Sequence, residues 1–221
     1  MRKEVDFIQD IHLSTKRDYL ARVLDEKVRC MEIARTFGED YWDGERRYGF
    51  GGYRYLPGRW TSLALKLIEE FSLSSNSKIL DLGCGKGFLL YELQLLLPGI
   101  QLTALDISDY ALENFHPELI ARKMRFDCRE NLPFQDLEFD LVLSINTLHN
   151  FSIDSVVNSV REIGRVGKSS YIVVESYRNL EEFFNLQCWA LTAPTIITPE
   201  EWNWLFDLAR FDGVFEFIYF G

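Results

Sequence analysis

Nowhere among the 221 residues is there an apolar run of the roughly 18 to 20 that a membrane-crossing helix needs, so no membrane partner is expected. The opening stretch MRKEVDFIQDIHLSTKRD starts basic, but it has no apolar core and no small-residue cleavage site, which argues against a secretory leader. Cysteine is sparse: residues 30, 84, 128 and 188 stand far apart and form no CxxC pair. That spacing excludes a zinc signature and a disulfide framework, so no metal site is expected and reduced thiols in a cytoplasmic protein are the plain reading. Positive charge is also short, with 24 Lys+Arg against 34 Asp+Glu and a net of −10. Duplex nucleic acid is held by cations that displace counterions from phosphate. The balance therefore points to a small-molecule substrate and away from nucleic acid. Internal repeats and low-complexity segments are absent. What remains is a chain with 47% hydrophobic and 26% charged residues, long enough to bury roughly 70% of its unfolded surface as one domain. Composition leaves open whether it works as a monomer or a homodimer.

The charge is unevenly distributed. Residues 1–60 carry 12 Lys+Arg and 11 Asp+Glu, whereas residues 61–221 carry 12 and 23. From Thr15 to Phe37, Leu20, Val23, Leu24, Val28 and Met31 recur at helical spacing, with Ser14 as a start signal and Gly38 as a stop. Tyr41 to Trp60 is a loop rich in glycine, aromatics and arginine, followed by a helix over about 59–71. We therefore read 1–60 as a helix with a lid segment and 61–221 as the main domain.

Beyond residue 70 short apolar strands alternate with helices: KILDL (78–82), QLTALD (101–106), KMRFD (123–127), FDLVLSI (139–145) and YIVVES (171–176), with helices at about 87–97, from Ser108, and at about 153–165. Thr198-Pro199-Glu200-Glu201 combines a capping threonine, a proline in the first turn and a glutamate three residues after the cap, which starts a further helix. VFEFIYF (214–220) reads as a last strand. This alternation specifies an α/β, Rossmann-like, doubly wound and mostly parallel sheet of six to seven strands.

Asp81-Leu82-Gly83-Cys84-Gly85-Lys86-Gly87 directly follows the first of these strands and opens a helix. Glycines let the backbone turn and approach a ligand, and the helix start offers free N–H donors to an anionic group. Asp106 lies 19 residues after Gly87 at the end of the second strand, where a carboxylate can accept from both hydroxyls of a ribose. The third glycine comes one residue too early for the dinucleotide fingerprint, and Lys86 lacks the following Ser or Thr of a P-loop.

ILDLGCGKG instead resembles the first motif of the class I S-adenosylmethionine-dependent methyltransferases, apolar–apolar–D/E–apolar–G-x-G-x-G. ALDIS, RFDC and LPFQDLEFDLVLSINTLHN resemble the motifs that follow it, over roughly residues 60–220. The resemblance implies S-adenosylmethionine as cofactor and transfer of its methyl group by in-line displacement. It implies a cofactor site of Asp81, Gly83, Cys84, Gly85, Gly87, Asp106 on the ribose, Ile107 against the adenine, Asp127 with Cys128 at the adenine edge, and Ser144. Strand four ends in SINTLHN, without the Asn/Asp-Pro-Pro-aromatic sequence of many enzymes that methylate amino groups of bases. The family's closing antiparallel hairpin is not visible either, which leaves open whether the sixth or seventh strand is present.

His149 and Asn146 lie just past strand four, where a methyl acceptor belongs, and a histidine is suited to act as base near neutral pH. His12 and His116 have no such surroundings. Arg46, Arg54, Arg59 and Trp60 of the lid, with Tyr177, are the candidate substrate contacts, the arginines by bidentate bonds to an anionic group. The expected acceptor is accordingly a small anionic metabolite. The alternatives are a protein or RNA acceptor, a non-catalytic partner subunit that keeps the fold, and transfer of a group other than methyl.

Overall fold

The computed structural model describes residues 2–221. Strand β1 (Lys3–Glu4) is followed by helices α1 (Gln9–Leu13), α2 (Tyr19–Leu24), α3 (Lys27–Ala34), α4 (Glu39–Trp42) and α5 (Thr61–Glu70). Then come β2 (Lys78–Leu82), α6 (Phe88–Leu96), β3 (Gln101–Asp106), α7 (Asp109–Glu113), β4 (Arg122–Arg125) and β5 (Leu141–Ile145). A 3-10 turn at Leu148–Asn150 leads to α8 (Ile153–Val166), β6 (Ser170–Glu175), α9 (Leu180–Trp189), α10 (Pro199–Ala209) and β7 (Val214–Ile218).

The seven strands form one sheet in the order β1-β7-β6-β5-β2-β3-β4, and every neighbouring pair is parallel. Strand side chains alternate between the two faces, as their period of two requires. Val142, Ile172 and Val174 pack on one face with Val156, Val160, Trp202 and Phe206 of α8 and α10. Leu141, Leu143, Tyr171 and Val173 pack on the other with Leu63, Leu67, Leu90 and Leu93 of α5 and α6. Strands covered on both sides read as near-continuous apolar runs, which is why β5 and β6 were plain in the sequence. The Thr198 cap forms as expected, with Thr198 accepting from the Glu201 N–H and Glu201 accepting from the Thr198 N–H.

One open point is answered and one expectation needs correction. No strand position is vacant: β7 runs parallel to β6, and the sheet edge beyond it is taken by β1, pairing Lys3 with Val214 and Glu4 with Phe215. A polar two-residue strand has no periodicity to detect. It is held from below by Glu216, whose buried carboxylate accepts from the Phe7 and Ile8 N–H groups and from the Tyr171 hydroxyl. The long helix of residues 15–37 is also not continuous. It breaks at Asp25 and Glu26, with Glu26 in the left-handed region at φ 42°. Arg47 pairs with both carboxylates, and Lys27 Nζ donates to the Cys188 and Ala190 carbonyls. These long-range bonds bend a segment whose local period favours one helix. Ser14 closes α1, Asp18 caps α2, and Gly38 stands at the start of α4.

His12 is buried beneath this N-terminal segment. Its Nε2 donates to the Tyr219 carbonyl at 2.7 Å while Arg17 donates to Nδ1 at 3.1 Å, an arrangement that needs the neutral ring. Burial and the Arg17 charge push its pKa down to about 4. A histidine depressed in the folded state contributes stability that is complete above its unfolded pKa and is lost as pH falls towards the folded one. Between pH 6.5 and 4 the native protein is therefore expected to lose about 1.4 kcal/mol per pH unit through this group, roughly 3 kcal/mol in all. Urea melts of the wild type and His12→Gln across that range check this; parallel pH slopes in the two proteins contradict it.

Candidate functional site

In open parallel sheets, ligand crevices form beyond the carboxyl ends of strands where the chain order reverses. Here that point lies between β2 and β5. Gly83 follows the first and Asn146 the second, and a cavity of about 520 Å³ opens above them. Its walls include Gly83, Asp106, Ile107, Asp127, Cys128 and Asn146 among the residues expected from sequence.

Of the glycine turn, Gly83 lines the cavity, while Gly85 and Gly87 lie outside the lining and face Trp42 and Phe115. Gly83 has φ +77°, and a Cβ there would lie 2.1 Å from Thr147 Oγ1. Gly85 has φ +55°, and its Cβ would meet the Trp42 ring at 2.9 Å. Both positions need glycine for conformation and for space. Gly87, φ +73°, begins α6. The Gly83 and Cys84 N–H groups donate to the Leu105 carbonyl, tying the turn to β3. Asp106 closes the tie: one carboxylate oxygen accepts from Gly85 N–H and the other from Ser108 N–H, each at 2.8 Å. Each oxygen keeps a lone pair for a ligand hydroxyl. Burial pushes the Asp106 pKa up, and the backbone donors act against that.

Asp81 lies under the turn, outside the cavity lining, and burial together with the Asp106 charge raises its pKa to about 7. Cys84 also lies outside the lining, and burial beside Asp81 and Asp106 pushes its thiol well up, so the sulfur stays protonated. Cys128 is raised for the same first reason. The Asp127 carboxylate is held by Arg129 through its backbone N–H, Nε and Nη2, and that partner holds it below the usual range. The Ser144 hydroxyl is fully buried in β5 with no hydrogen-bond partner and does not reach the cavity wall.

Residues 37–55 lie across the glycine turn. Trp42 Nε1 donates to the Phe37 carbonyl and to Ser108 Oγ. Buried Lys86 donates to Asp43 at 2.6 Å and to the Tyr53 carbonyl, and the Tyr53 ring stacks on Phe88. Lys86 had no role in the sequence reading beyond its failure to make a P-loop; here its ammonium fastens the covering segment.

The structure does not bring the expected substrate residues to this cavity. Arg54 is exposed, Arg59 and Trp60 sit at the start of α5, and Tyr177 packs against Phe183. Arg46 donates to the Gly49 carbonyl and stacks over Trp189 in a separate cavity. Changing Arg54 and Arg59 together to alanine is thus expected to leave KM within about twofold, because exposed charges away from a site contribute little; a large rise measured in initial-rate kinetics contradicts this placement. The expectation of His149 as a base also needs correction. Its ring is buried outside the lining, Nδ1 accepts from the Glu175 N–H at 3.3 Å, and burial lowers its pKa. It braces β6 against the turn after β5.

Asn146 does line the cavity. It holds a left-handed backbone at φ 54°, and its side-chain amide makes no hydrogen bond among the described residues. Asn150, four residues on, donates to the Asn146 and Thr147 carbonyls and keeps its Oδ1 unpartnered. Aromatic walls come from Phe37, Tyr41, Trp42, Phe126 and Phe151, and cations from Arg35, Arg125 and Arg129. The sequence held no signal for Arg35, which stands beside no motif; Arg129 directly follows RFDC and Asn150 shares a turn with Asn146, so both were within reach of the same reasoning.

Residues 73–210 match the family described as "Methyltransferase domain". A ribosomal RNA small subunit methyltransferase C from Haemophilus influenzae is 31% identical over 115 residues, which are 49% of this chain and 34% of that protein. The chain thus matches about a third of that relative's length. Among solved structures, the YcgJ protein of Bacillus subtilis superposes with a TM-score of 0.54 at 21% identity, over 66% of this chain and 67% of that one. A Haloferax volcanii protein solved with the Trm112 methyltransferase activator gives 0.55 at 20% identity, over 88% and 76%. These two likenesses concern the fold. The rRNA-methylating relative overturns the exclusion of nucleic acid drawn from the net charge. Contact with phosphate depends on local potential, and a net charge of −10 does not set the potential inside a cavity edged by arginines. This chain belongs to the methyltransferase domain family.

Proposed function

We propose that this family member methylates an amino-bearing planar base in RNA, and that residues 37–55 act as the lid over its cofactor. The observation that carries the acceptor is Asn146. Asparagine is one of the few non-glycine residues that tolerate the left-handed region, and here that backbone places Asn146 in the cavity wall. Its free amide, with one acceptor and two donor hydrogens, suits the edge of a base that offers both. Phe37, Tyr41 and Phe151 offer faces for stacking, the usual means of holding an unpaired RNA base. The rRNA-methylating relative supports the same acceptor class.

The residues fit the cofactor. Gly83 leaves room for close approach, Asp106 has lone pairs for ribose hydroxyls, Ile107 and Cys128 flank a slot for adenine, and Asp127 stands at its edge. S-adenosylmethionine supplies a methyl group already activated by its sulfonium. The chain then needs to align and to exclude water, and alignment alone can lower a barrier by about 7–11 kcal/mol. Asn146 orients the accepting nitrogen, and the aromatic walls keep solvent out.

Asp81 adds a pH dependence. Below about pH 7 its carboxyl is protonated, and above it the group is an anion beneath the turn that receives a cationic ligand. Cofactor affinity is expected to fall on acidification below pH 7, approaching tenfold per pH unit, with proton release on binding. Calorimetry between pH 5.5 and 8 measures both; a flat profile matching that of Asp81→Asn removes the role.

Methyl-tritiated cofactor incubated with small-subunit ribosomal RNA, mononucleotides and a panel of anionic metabolites tests the acceptor. Label recovered in an N-methylated base of RNA is the expected result. The second reading is a small anionic metabolite, favoured by Arg35 and Arg129 at the cavity edge. Label confined to metabolites would replace the RNA reading with that one.

A further inference from the structure

A second cavity, of about 330 Å³, lies between α2, the 46–47 bend of the covering segment and the end of α9. Lys16, Arg22, Arg46 and Arg47 line it together with Asp18 and Asp25, with Trp189 as its apolar wall. Arg22 and Arg46 stack on the Trp189 ring at 4.5 and 4.9 Å, and Arg17 approaches it at 5.4 Å. Three guanidinium groups thus crowd one indole.

Carboxylates do not balance them. Asp25 and Glu26 are engaged by Arg47, and Asp18 caps α2 through the Ala21 N–H. Arg22 and Arg46 make no ion pair among the described residues; their Nη1 groups donate to the Arg46 and Gly49 carbonyls instead. The Nε atoms of Arg17, Arg22 and Arg47 are buried with no hydrogen-bond partner. Burial and the Arg46 charge push Arg22 down to about 10, and Arg22 helps to lower Lys27 to about 8. Gathering desolvated like charges is unfavourable, and it is unexpected in a chain with ten more acidic than basic residues. An anion in the cavity offsets the repulsion between the Arg22 and Arg46 guanidinium groups that line it.

We propose that this cavity is a phosphate-binding site separate from the methyl-transfer cavity. Guanidinium forks match phosphate oxygens in pairs, and Lys16 at the exposed mouth adds a point charge. Two sources supply that chemistry: a backbone phosphate of RNA, or a free phosphorylated compound. The first rests on the RNA acceptor proposed above; the site itself does not. The link to the methyl-transfer cavity is direct in the chain, because α3 runs from this cavity to Arg35, Thr36 and Phe37 on the wall of the other.

Isothermal titration of the full chain with inorganic pyrophosphate and, separately, with a ten-residue oligouridylate is the test. The wild type is expected to bind at least one of the two. Arg46→Gln is expected to weaken that binding at least tenfold, and Lys16→Gln about threefold, while S-adenosylmethionine affinity in Lys16→Gln stays within twofold. Lys16 is exposed, so its variant remains informative if Arg46→Gln does not fold. Weakened oligouridylate binding assigns the site to RNA backbone, and weakened pyrophosphate binding alone assigns it to a free phosphorylated compound. Absence of binding by the wild type, or binding unchanged in the folded variants, overturns the proposal. The titration reads no methyl transfer, so its failure leaves the methyl-transfer reading standing.

Discussion

Asp106→Ala is expected to weaken S-adenosylmethionine binding by about 100-fold or more. The carboxylate accepts from the Gly85 and Ser108 N–H groups and is proposed to accept from ribose as well. Hydrogen bonds to a charged group contribute about 1.5–3 kcal/mol each, so losing the two backbone bonds alone loosens the turn whose Gly83 lines the cavity. Asp106→Asn is expected to be nearly as severe despite its equal size. Whichever way its amide turns, one NH2 faces a backbone N–H, donor against donor. Calorimetric titration measures the affinity, with far-UV circular dichroism as the control for folding. An Asp106→Asn variant that binds like wild type would show that Asp106 does not organise the site.

Asn146→Gly separates two contributions of one residue. Glycine adopts the left-handed backbone at φ 54° without steric cost, so the variant is expected to melt close to wild type. It removes the amide, and kcat is expected to fall about 30- to 100-fold, equivalent to roughly 2–2.7 kcal/mol. Cofactor affinity stays unchanged because the amide makes no bond to the glycine turn. Single-turnover rates with the unmethylated acceptor RNA measure the loss of rate, and calorimetry the cofactor affinity. A variant with wild-type turnover would remove Asn146 from acceptor positioning.

The proposed cofactor half of the site was legible in the sequence because it is built from neighbours along the chain. A strand, a glycine turn and a helix start share seven consecutive residues, Asp81 to Gly87, and Asp106 ends the adjacent strand. Local spacing states such geometry directly. The acceptor half was not legible. Arg35, Arg129 and Phe151 meet only because α3, the end of β4 and the turn after β5 converge over one crevice. Arg46, Arg54 and Arg59 lie outside the cavity lining for a related reason. Composition identified Arg46, Arg54 and Arg59 as an arginine-rich loop, but the side of the loop that meets the sheet is set by Trp42, Lys86 and Tyr53, which pack inward and leave those arginines elsewhere. His149 failed because a position one turn beyond a strand end is compatible with either face, and burial against β6 selected the inner one.

By itself the chain's order of residues determined a parallel sheet wrapped on both faces and a nucleoside crevice after β2. Apolar period and glycine placement act over a few residues and need no partner. Only the tertiary structure decided that β1 closes the sheet edge, that the first long helix breaks at Glu26, and that four cations collect around Trp189. Each of those outcomes depends on bonds between residues 20 to more than 200 positions apart. Burial and charge then choose among local conformations that the sequence leaves nearly equal.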